Sequence, residues 1–325
     1  MKPAIRLLMP SLLDEHMLKT LAQDGLDMLS KLQTELRKAD LTTSDDSNLI
    51  TSHYQLGSEQ NFTAWMLAGE NNHEMLSKGR WLRADPVILE ATHNGIVCRG
   101  NSVLALEESE REEIEMLFNK HFLDDGLVLQ FHSESQAYMN IGDNQEARFS
   151  PLAKVLGQDI SHHLPEGEAG RFWQRILMET QMLLHRAQCN IERAECGEKA
   201  ISGLWFWGNP NKPAVVNTTI QAEQFYCNDA LLRGAFDGQV SGPVIPQLND
   251  LLVGTNSIEI MNSELRNARD QNDVTDWQNR FTYWLENYIF PTINLVKTGE
   301  ISELELYTET QCYSLKPWHK YRLWR

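Results

Sequence analysis

Apolar positions along the chain change their spacing several times, and each change predicts a different element. Ile5 to Met9 is a short apolar run and predicts a strand. From Leu12 to Arg37 the spacing is helical, with Leu18, Leu21, Met28, Leu29 and Leu32 on one face. The polar stretch Asp40 to Asn48 predicts a loop, and Phe62 to Ala68 is a short apolar segment. Trp81 to Cys98 predicts strand, turn, strand, with the turn at His93-Asn94-Gly95. Glu107 to Phe122 predicts a charged amphipathic helix that buries Ile114, Leu117, Phe118 and Phe122. Gly126 to His132 and Gln136 to Ile141 predict a hairpin.

The chain changes character near Ser150-Pro151. Ala169 to Arg186 predicts a helix with Phe172, Ile176, Leu183 and Leu184 apolar, and Leu204 to Trp207 a short aromatic strand. Val215 to Ile220 is β-branched and predicts a strand; Leu231 to Ala235 predicts a helical turn. Asp276 to Lys297 predicts a long helix that Pro291 must kink or end. Leu304 to Tyr313 and Tyr321 to Trp324 predict the last strands. Helices and strands alternate without a repeat period, so the expected fold class is α/β, a layered mixed sheet flanked by helices. Two regions are expected, 1–149 with the Trp81 to Pro86 segment and 150–325 with the Leu204 to Gly208 strand and the aromatic tail.

Composition narrows the function. Lys plus Arg total 29 and Asp plus Glu 45, a net charge of −16. Such a field repels phosphate backbones, so no nucleic-acid partner is expected. The one dense basic stretch, Lys316 to Arg325, carries Trp318, Tyr321 and Trp324. Base stacking is one reading of it; the plainer one is a closing tail whose aromatics pack on the body. The five cysteines contain no C-x-x-C and read as buried free thiols of a reducing compartment. No apolar run approaches the roughly 18 residues of a membrane span, and 1–11 is too short for a signal core, so a cytoplasmic, membrane-free protein is expected.

There is no G-x-G-x-x-G, P-loop, G-x-S-x-G or H-E-x-x-H. Three constellations remain. Arg80 and Arg83 beside Asp85 could form an anion fork, or an ordinary strand-end ion pair. His162 and His163 with Glu166 and Glu168 could bind a metal, or shape a helix-entry loop. His185, Asn190 and Arg193 precede the Leu204 to Pro210 strand end, where a backbone can approach a ligand, although its tryptophans also suit a core.

The stretch from Leu184 to Gly208 resembles a segment of the archaeal-type cofactor-independent phosphoglycerate mutases. Trp81 to Ala91, Leu156 to Gly167 and Glu179 to Arg193 resemble, in that order, three motifs of proteobacterial RpfE-type regulatory proteins. The resemblance spans roughly residues 75 to 300 and implies an alkaline-phosphatase/phosphoglycerate-mutase-like fold, with room for a smaller α+β insert. It also implies two divalent metal ions and a phosphorylated Ser or Thr in active members, the metals clamping attacking and leaving oxygens. This chain lacks the early D-G-x-G and the late D-H pair that would hold them. The resemblance therefore implies a non-catalytic binding or regulatory protein with no cofactor. The alternative is an active metal-dependent mutase or phosphatase with two ions on atypical ligands such as Asp85, Asp159, His162, His163, Asp229 and Asp237. Expected ligand contacts are Arg80, Arg83, Asp85, His185, Asn190 and Arg193. The expected partner is a phosphorylated small molecule or another protein, the latter engaging the aromatic C-terminus.

Overall fold

The computed structural model describes residues 2–43, 53–54, 63–93, 95–100, 104–211, 219–271 and 273–322. Two compact units emerge: Met1–Ser58 with Val215–Arg325, and Glu59–Ala214. In chain order the strands are β1 (Ala4–Leu8), β2 (Asp40–Thr43), β3 (Trp81–Thr92), β4 (Gly95–Gly100), β5 (Val128–Phe131), β6 (Ala137–Asn140), β7 (Gly203–Trp207), β8 (Gln224–Cys227), β9 (Ser257–Met261), β10 (Glu303–Tyr307) and β11 (Gln311–Leu315). The molecule is α/β, as its alternating pattern predicts. The boundary expected between 149 and 150 lies inside the second unit, where β6 and β7 both pair with β3.

The first unit carries a six-stranded sheet in the order β2-β11-β10-β1-β9-β8. Its β10, β1, β9 and β8 run parallel, and β11 and β2 join antiparallel at one side. Ile5 and Leu7, Ile258 and Ile260, and Leu304 and Leu306 share a core with Trp277, Phe281, Trp284 and Ile293 of the helices after β9. Each fully buried side chain of this size contributes about 1.5–3 kcal/mol. The opposite face carries Leu8, Phe225, Cys227 and Met261, packed with Tyr54, Leu232 and Phe236.

Several expectations shift for physical reasons. The helix expected over Leu12 to Arg37 is two, Glu15–Leu18 and Gln23–Leu36. The Thr20 hydroxyl donates to the Met17 carbonyl at 2.6 Å and Ala22 is extended, which breaks the run. Asp40–Thr43 is a strand, not a loop, because it pairs with β11. The long helix runs as Val274–Trp284, a π turn Leu285–Ile289, and Phe290–Thr298. Pro291 opens the last piece, and the π turn before it absorbs the missing N–H. Within the expected strand Val215 to Ile220, positions 215–218 lie outside the described residues and 219–220 are not strand. Pro317–Tyr321 is a 3-10 turn instead of a strand start, and 323–325 lie outside the described residues. The tail does not bury its described aromatics: Trp318 and Tyr321 are exposed, and His319 is buried in their place. Of the cysteines, Cys196 is exposed and the other four are buried.

The second unit holds an antiparallel sheet in the order β4-β3-β6-β5, with β7 also on β3. The β3–β4 pair and the β5–β6 hairpin match the sequence pattern; Asn94 of the first turn lies outside the described residues. Helices Glu108–His121 and Gly170–His185 cover it, burying Ile114, Phe118, Trp173, Ile176 and Leu184 against Leu82, Leu129, Met139 and Phe206. The outer edge of β5 is capped from the first helix: Asn119 accepts the Leu129 N–H at 2.6 Å and donates to its carbonyl at 3.1 Å. That removes ladder groups another strand could use.

Candidate functional site

In the second unit, Arg83 and Asp85 lie two apart on β3 and so share a face. Register places Tyr138 of β6 and Trp207 of β7 opposite Arg83 on its two sides. Their rings lie 5.0 and 5.4 Å from the guanidinium carbon. Arg83 Nε and Nη2 donate to Asp85 Oδ1 at 3.1 and 2.6 Å, and its Nη1 lies 3.8 Å from Glu70 Oε1. Trp207 donates to the other Asp85 oxygen, and Tyr138 donates to Glu70 at 2.7 Å. His132 stands 3.4 Å from the same Glu70 oxygen, at the more open end of the cluster. Burial works against the Arg83 charge, but Asp85, Tyr138 and Glu70 more than offset it and raise its pKa. Arg83 and Asp85 are 6% and 2% exposed, so their donors and acceptors face protein. Arg80 is more open, 3.8 Å from Glu146 and donating to the Asn144 carbonyl at 3.2 Å.

Asn190 and Arg193 are likewise engaged internally. Asn190 donates to the carbonyls of Leu184 and Ile201 and accepts the Ile201 N–H, tying its helix to the approach to β7. Arg193 grips Glu110 through Nε and Nη2 at 2.5 and 2.9 Å. His185 is exposed, and with Asn190 it borders a cavity of about 830 Å³ that also touches Met182 and Ile191. His162 ends the short 3-10 turn Ile160–His162, and Asp159 caps that turn on the Ser161 N–H. The histidine pair thus sits in a loop ahead of the helix. Among the described residues, no three His, Cys, Asp or Glu side chains are placed to hold one metal ion.

The first unit offers a constellation that the sequence reading passed over. In parallel sheets, ligands bind beyond the carboxyl ends of the strands. Here those ends are Met9 to Ser11 after β1, Asn228-Asp229 after β8, Asn262-Ser263 after β9 and Thr308-Glu309 after β10. Ser11 is fully buried with φ of 65°, and its N–H and hydroxyl donate to Glu309 at 2.8 and 2.9 Å. Asn228 accepts both the N–H and the hydroxyl of Ser263. The helix Glu264–Asp270 then brings in two arginines. Arg269 lies 2.6 Å from Asp270, 3.3 Å from Glu309 and 3.7 Å from Asp14. Arg266 pairs through Nη2 with Asp229, which also caps the next helix on the Leu232 N–H. Burial raises the Asp270 pKa, with Arg269 opposing.

The carboxylates of this edge are thus engaged, while two donor groups are not. Arg266 Nε and Nη1 make no hydrogen bond among the described residues. Asn262 is 1% exposed, and among the described residues its Nδ2 has no partner although its Oδ1 accepts the Glu264 N–H. The signal that could have found this edge is Asn262-Ser263 following the alternating stretch Ser257 to Met261, a strand end passing into a helix start.

No family model matches the chain. Over 74 residues, 23% of the chain, it is 27% identical to the 2,3-bisphosphoglycerate-independent phosphoglycerate mutase of Methanosarcina mazei. The matched stretch spans 18% of that mutase. Among solved structures it is similar to the cofactor-independent phosphoglycerate mutase from Thermoplasma acidophilum, with 12% identity, a TM-score of 0.39, and coverage of 97% of this chain and 90% of that one. It is also similar to the PH0037 protein from Pyrococcus horikoshii, with 11% identity, a TM-score of 0.45, and coverage of 97% and 87%. The sequence match is a distant relationship to cofactor-independent phosphoglycerate mutases.

Proposed function

We propose that this chain is a phosphoglycerate-mutase-like protein that binds a phosphorylated small acid in a regulatory role, without mutase catalysis. The open guanidinium of Arg266 and the buried, unpaired Nδ2 of Asn262 at the carboxyl edge of the parallel sheet carry this reading. Asn262 Nδ2 is buried without an acceptor among the described residues and Arg266 keeps Nε and Nη1 open to solvent, while Asp14, Asp229, Asp270 and Glu309 are engaged by arginines or backbone N–H groups. A ligand that completes such a set brings acceptors and negative charge, and a phosphate suits a guanidinium well. Metal-assisted phosphoryl transfer needs carboxylate and imidazole groups converging on its cations. Here the carboxylates converge on guanidinium groups instead, Asp14, Asp270 and Glu309 around Arg269 and Asp229 on Arg266.

The distant mutase relationship favours phosphorylated three-carbon acids among small anions. The resemblance of Trp81 to Ala91, Leu156 to Gly167 and Glu179 to Arg193 to motifs of RpfE-type regulatory proteins supports a regulatory role. In the second unit, Arg80 and His185 are the expected contacts that keep open faces. The test is an assay of 2- and 3-phosphoglycerate interconversion with Mn²⁺, Mg²⁺ or Zn²⁺ supplied, beside metal analysis of the purified protein. The reading predicts no turnover, no stoichiometric metal, and a melting point raised by 3-phosphoglycerate through mass action. Turnover by protein carrying stoichiometric metal overturns it.

A further inference from the structure

The sheet of the second unit leaves the far end of its longest strand without a neighbour on one side. β3 pairs with β4 over Ile88–Thr92 and, on its other side, with β7 over Arg83–Val87. β7 begins at Gly203, opposite Val87, and among the described residues no strand continues it beside Ile88–Thr92. The Ser202 N–H donates to the Val87 carbonyl at 2.9 Å and its hydroxyl to the Leu89 carbonyl at 3.3 Å, so Val87 and Leu89 turn their backbone groups to the β7 side. Strand alternation puts the Leu89 N–H, and the N–H and carbonyl of Ala91, on that same open side. The free edge spans Ile88–Thr92, about 17 Å, the length of an ordinary strand. At the far edge of this sheet Asn119 occupies the backbone groups of Leu129; among the described residues no side chain does so for Ala91.

The cavity of about 830 Å³ lies against this edge. Leu89 and Ala91 are two apart on β3, and Ile96 stands opposite Ala91 on β4, so these three lining residues share one face of the hairpin. Met182 of the helix Gly170–His185 and Ile191 of the helix Gln188–Cys196 line it as well. Ile96, Met182 and Ile191 are 40%, 63% and 47% exposed. Large apolar side chains left open around one cavity mark an interaction site. Glu195 is the one carboxylate on the lining; it is exposed and has no basic partner among the described residues. The edge thus asks for backbone hydrogen-bonding groups, the cavity for apolar side chains, and Glu195 for positive charge.

We propose that this edge binds an extended peptide segment of another protein as an added strand beside β3, with alternate apolar side chains entering the cavity and a lysine or arginine meeting Glu195. Main-chain bonds to Leu89 and Ala91 supply affinity and fix the register, and the cavity selects apolar residues at every second position. Glu195 selects against acidic segments. The site belongs to the second unit and does not depend on an anion binding at the carboxyl edge of the first.

The experiment is calorimetric titration of the full chain with acetyl-Lys-Val-Thr-Val-Thr-Val-amide, with the same peptide N-methylated at every valine or at every threonine, and with a form carrying Glu for Lys. Only one edge of a docked strand faces β3, so the expected result is binding of the parent peptide and a loss of about tenfold or more in the form whose methyl groups lie on that edge. Ala91→Pro removes an outward N–H at a place where an edge strand tolerates proline, and is expected to weaken the parent peptide by a similar factor. Glu195→Lys is expected to weaken the Lys peptide and strengthen the Glu peptide. If Ala91→Pro fails to fold, the methylated peptides on wild-type protein and the exposed Glu195→Lys decide. No heat with the parent peptide, equal affinity for it and both methylated forms, or indifference to Glu195→Lys overturns the proposal. So does a wild-type dimer, seen by light scattering, that Ala91→Pro separates into folded monomers, because the edge then belongs to a second copy of this chain.

Discussion

Asp85 accepts the indole N–H of Trp207 at 2.7 Å across the β3–β7 pair. Its other oxygen holds Arg83, so this one buried carboxylate joins a guanidinium and an aromatic strand. Removing one member of a buried ion pair leaves the other charge uncompensated, at about 3–5 kcal/mol. Asp85→Ala is expected to destabilise the second unit by that amount. The double variant Arg83→Met/Asp85→Leu, which keeps volume without charge, is expected to cost clearly less. Urea titration followed by tryptophan fluorescence checks both; equal losses in the two would remove the pair from this role.

The β5 edge gives a second prediction. Asn119 satisfies both backbone groups of Leu129, and Asn119→Ala leaves them without those partners. The expected loss is about 1–3 kcal/mol, accompanied by faster aggregation on warming. Light scattering during a thermal ramp reads the second effect; a ramp identical to wild type contradicts it.

Ser11 gives a third, because it occupies the left-handed region at φ 65° without being glycine. Ser11→Ala loses the hydroxyl bond to Glu309 and keeps the backbone strain; Ser11→Gly loses the bond and relieves the strain. Glycine is expected to be the more stable variant by about 1 kcal/mol. A melting-temperature order with alanine above glycine would show that the strain is negligible.

The Arg193–Glu110 pair sets part of the acid limb. Burial raises the Glu110 carboxyl, yet Arg193 and the Glu107 N–H more than offset it and leave it below the ordinary value. A group whose folded pKa is depressed stabilises the fold above its unfolded pKa, about 4.3. That contribution is lost as pH falls through the lower folded value. Glu110→Gln is therefore expected to flatten the stability curve below about pH 4.3 relative to wild type. Melting temperatures between pH 3 and 7 test this, and parallel curves would contradict it.

Elements with one clear period were legible from sequence: the helices at Glu108–His121 and Gly170–His185, and the β5–β6 hairpin. β9 was not, because the alternation of Ser257-Ile258-Glu259-Ile260 is short and its polar member Glu259 is buried instead of solvent-facing. β2 was hidden by its polar, exposed composition; only pairing with β11 makes Asp40–Thr43 a strand. Arg83 and Asp85 were legible as a pair, but their commitment to Glu70, Tyr138 and Trp207 depends on register across three strands. The carboxyl-edge set was illegible because Ser11, Asp229, Asn262 and Glu309 come from scattered loops and Arg266 from a helix, and they meet only once the parallel sheet forms.

The central claim is that Arg266 and Asn262, at the carboxyl ends of the parallel strands, receive an anionic phosphorylated ligand. The most direct measurement is calorimetric titration of 3-phosphoglycerate into wild type, Arg266→Gln and Asn262→Leu, the last leaving the Arg266–Asp229 pair intact. Hydrogen bonds to charged groups contribute about 1.5–3 kcal/mol, roughly ten- to a hundredfold in affinity. The account predicts wild-type binding, a loss of that size in Arg266→Gln, and a smaller loss in Asn262→Leu. A wild-type protein that binds no phosphorylated acid, or one whose affinity neither substitution alters, would contradict it.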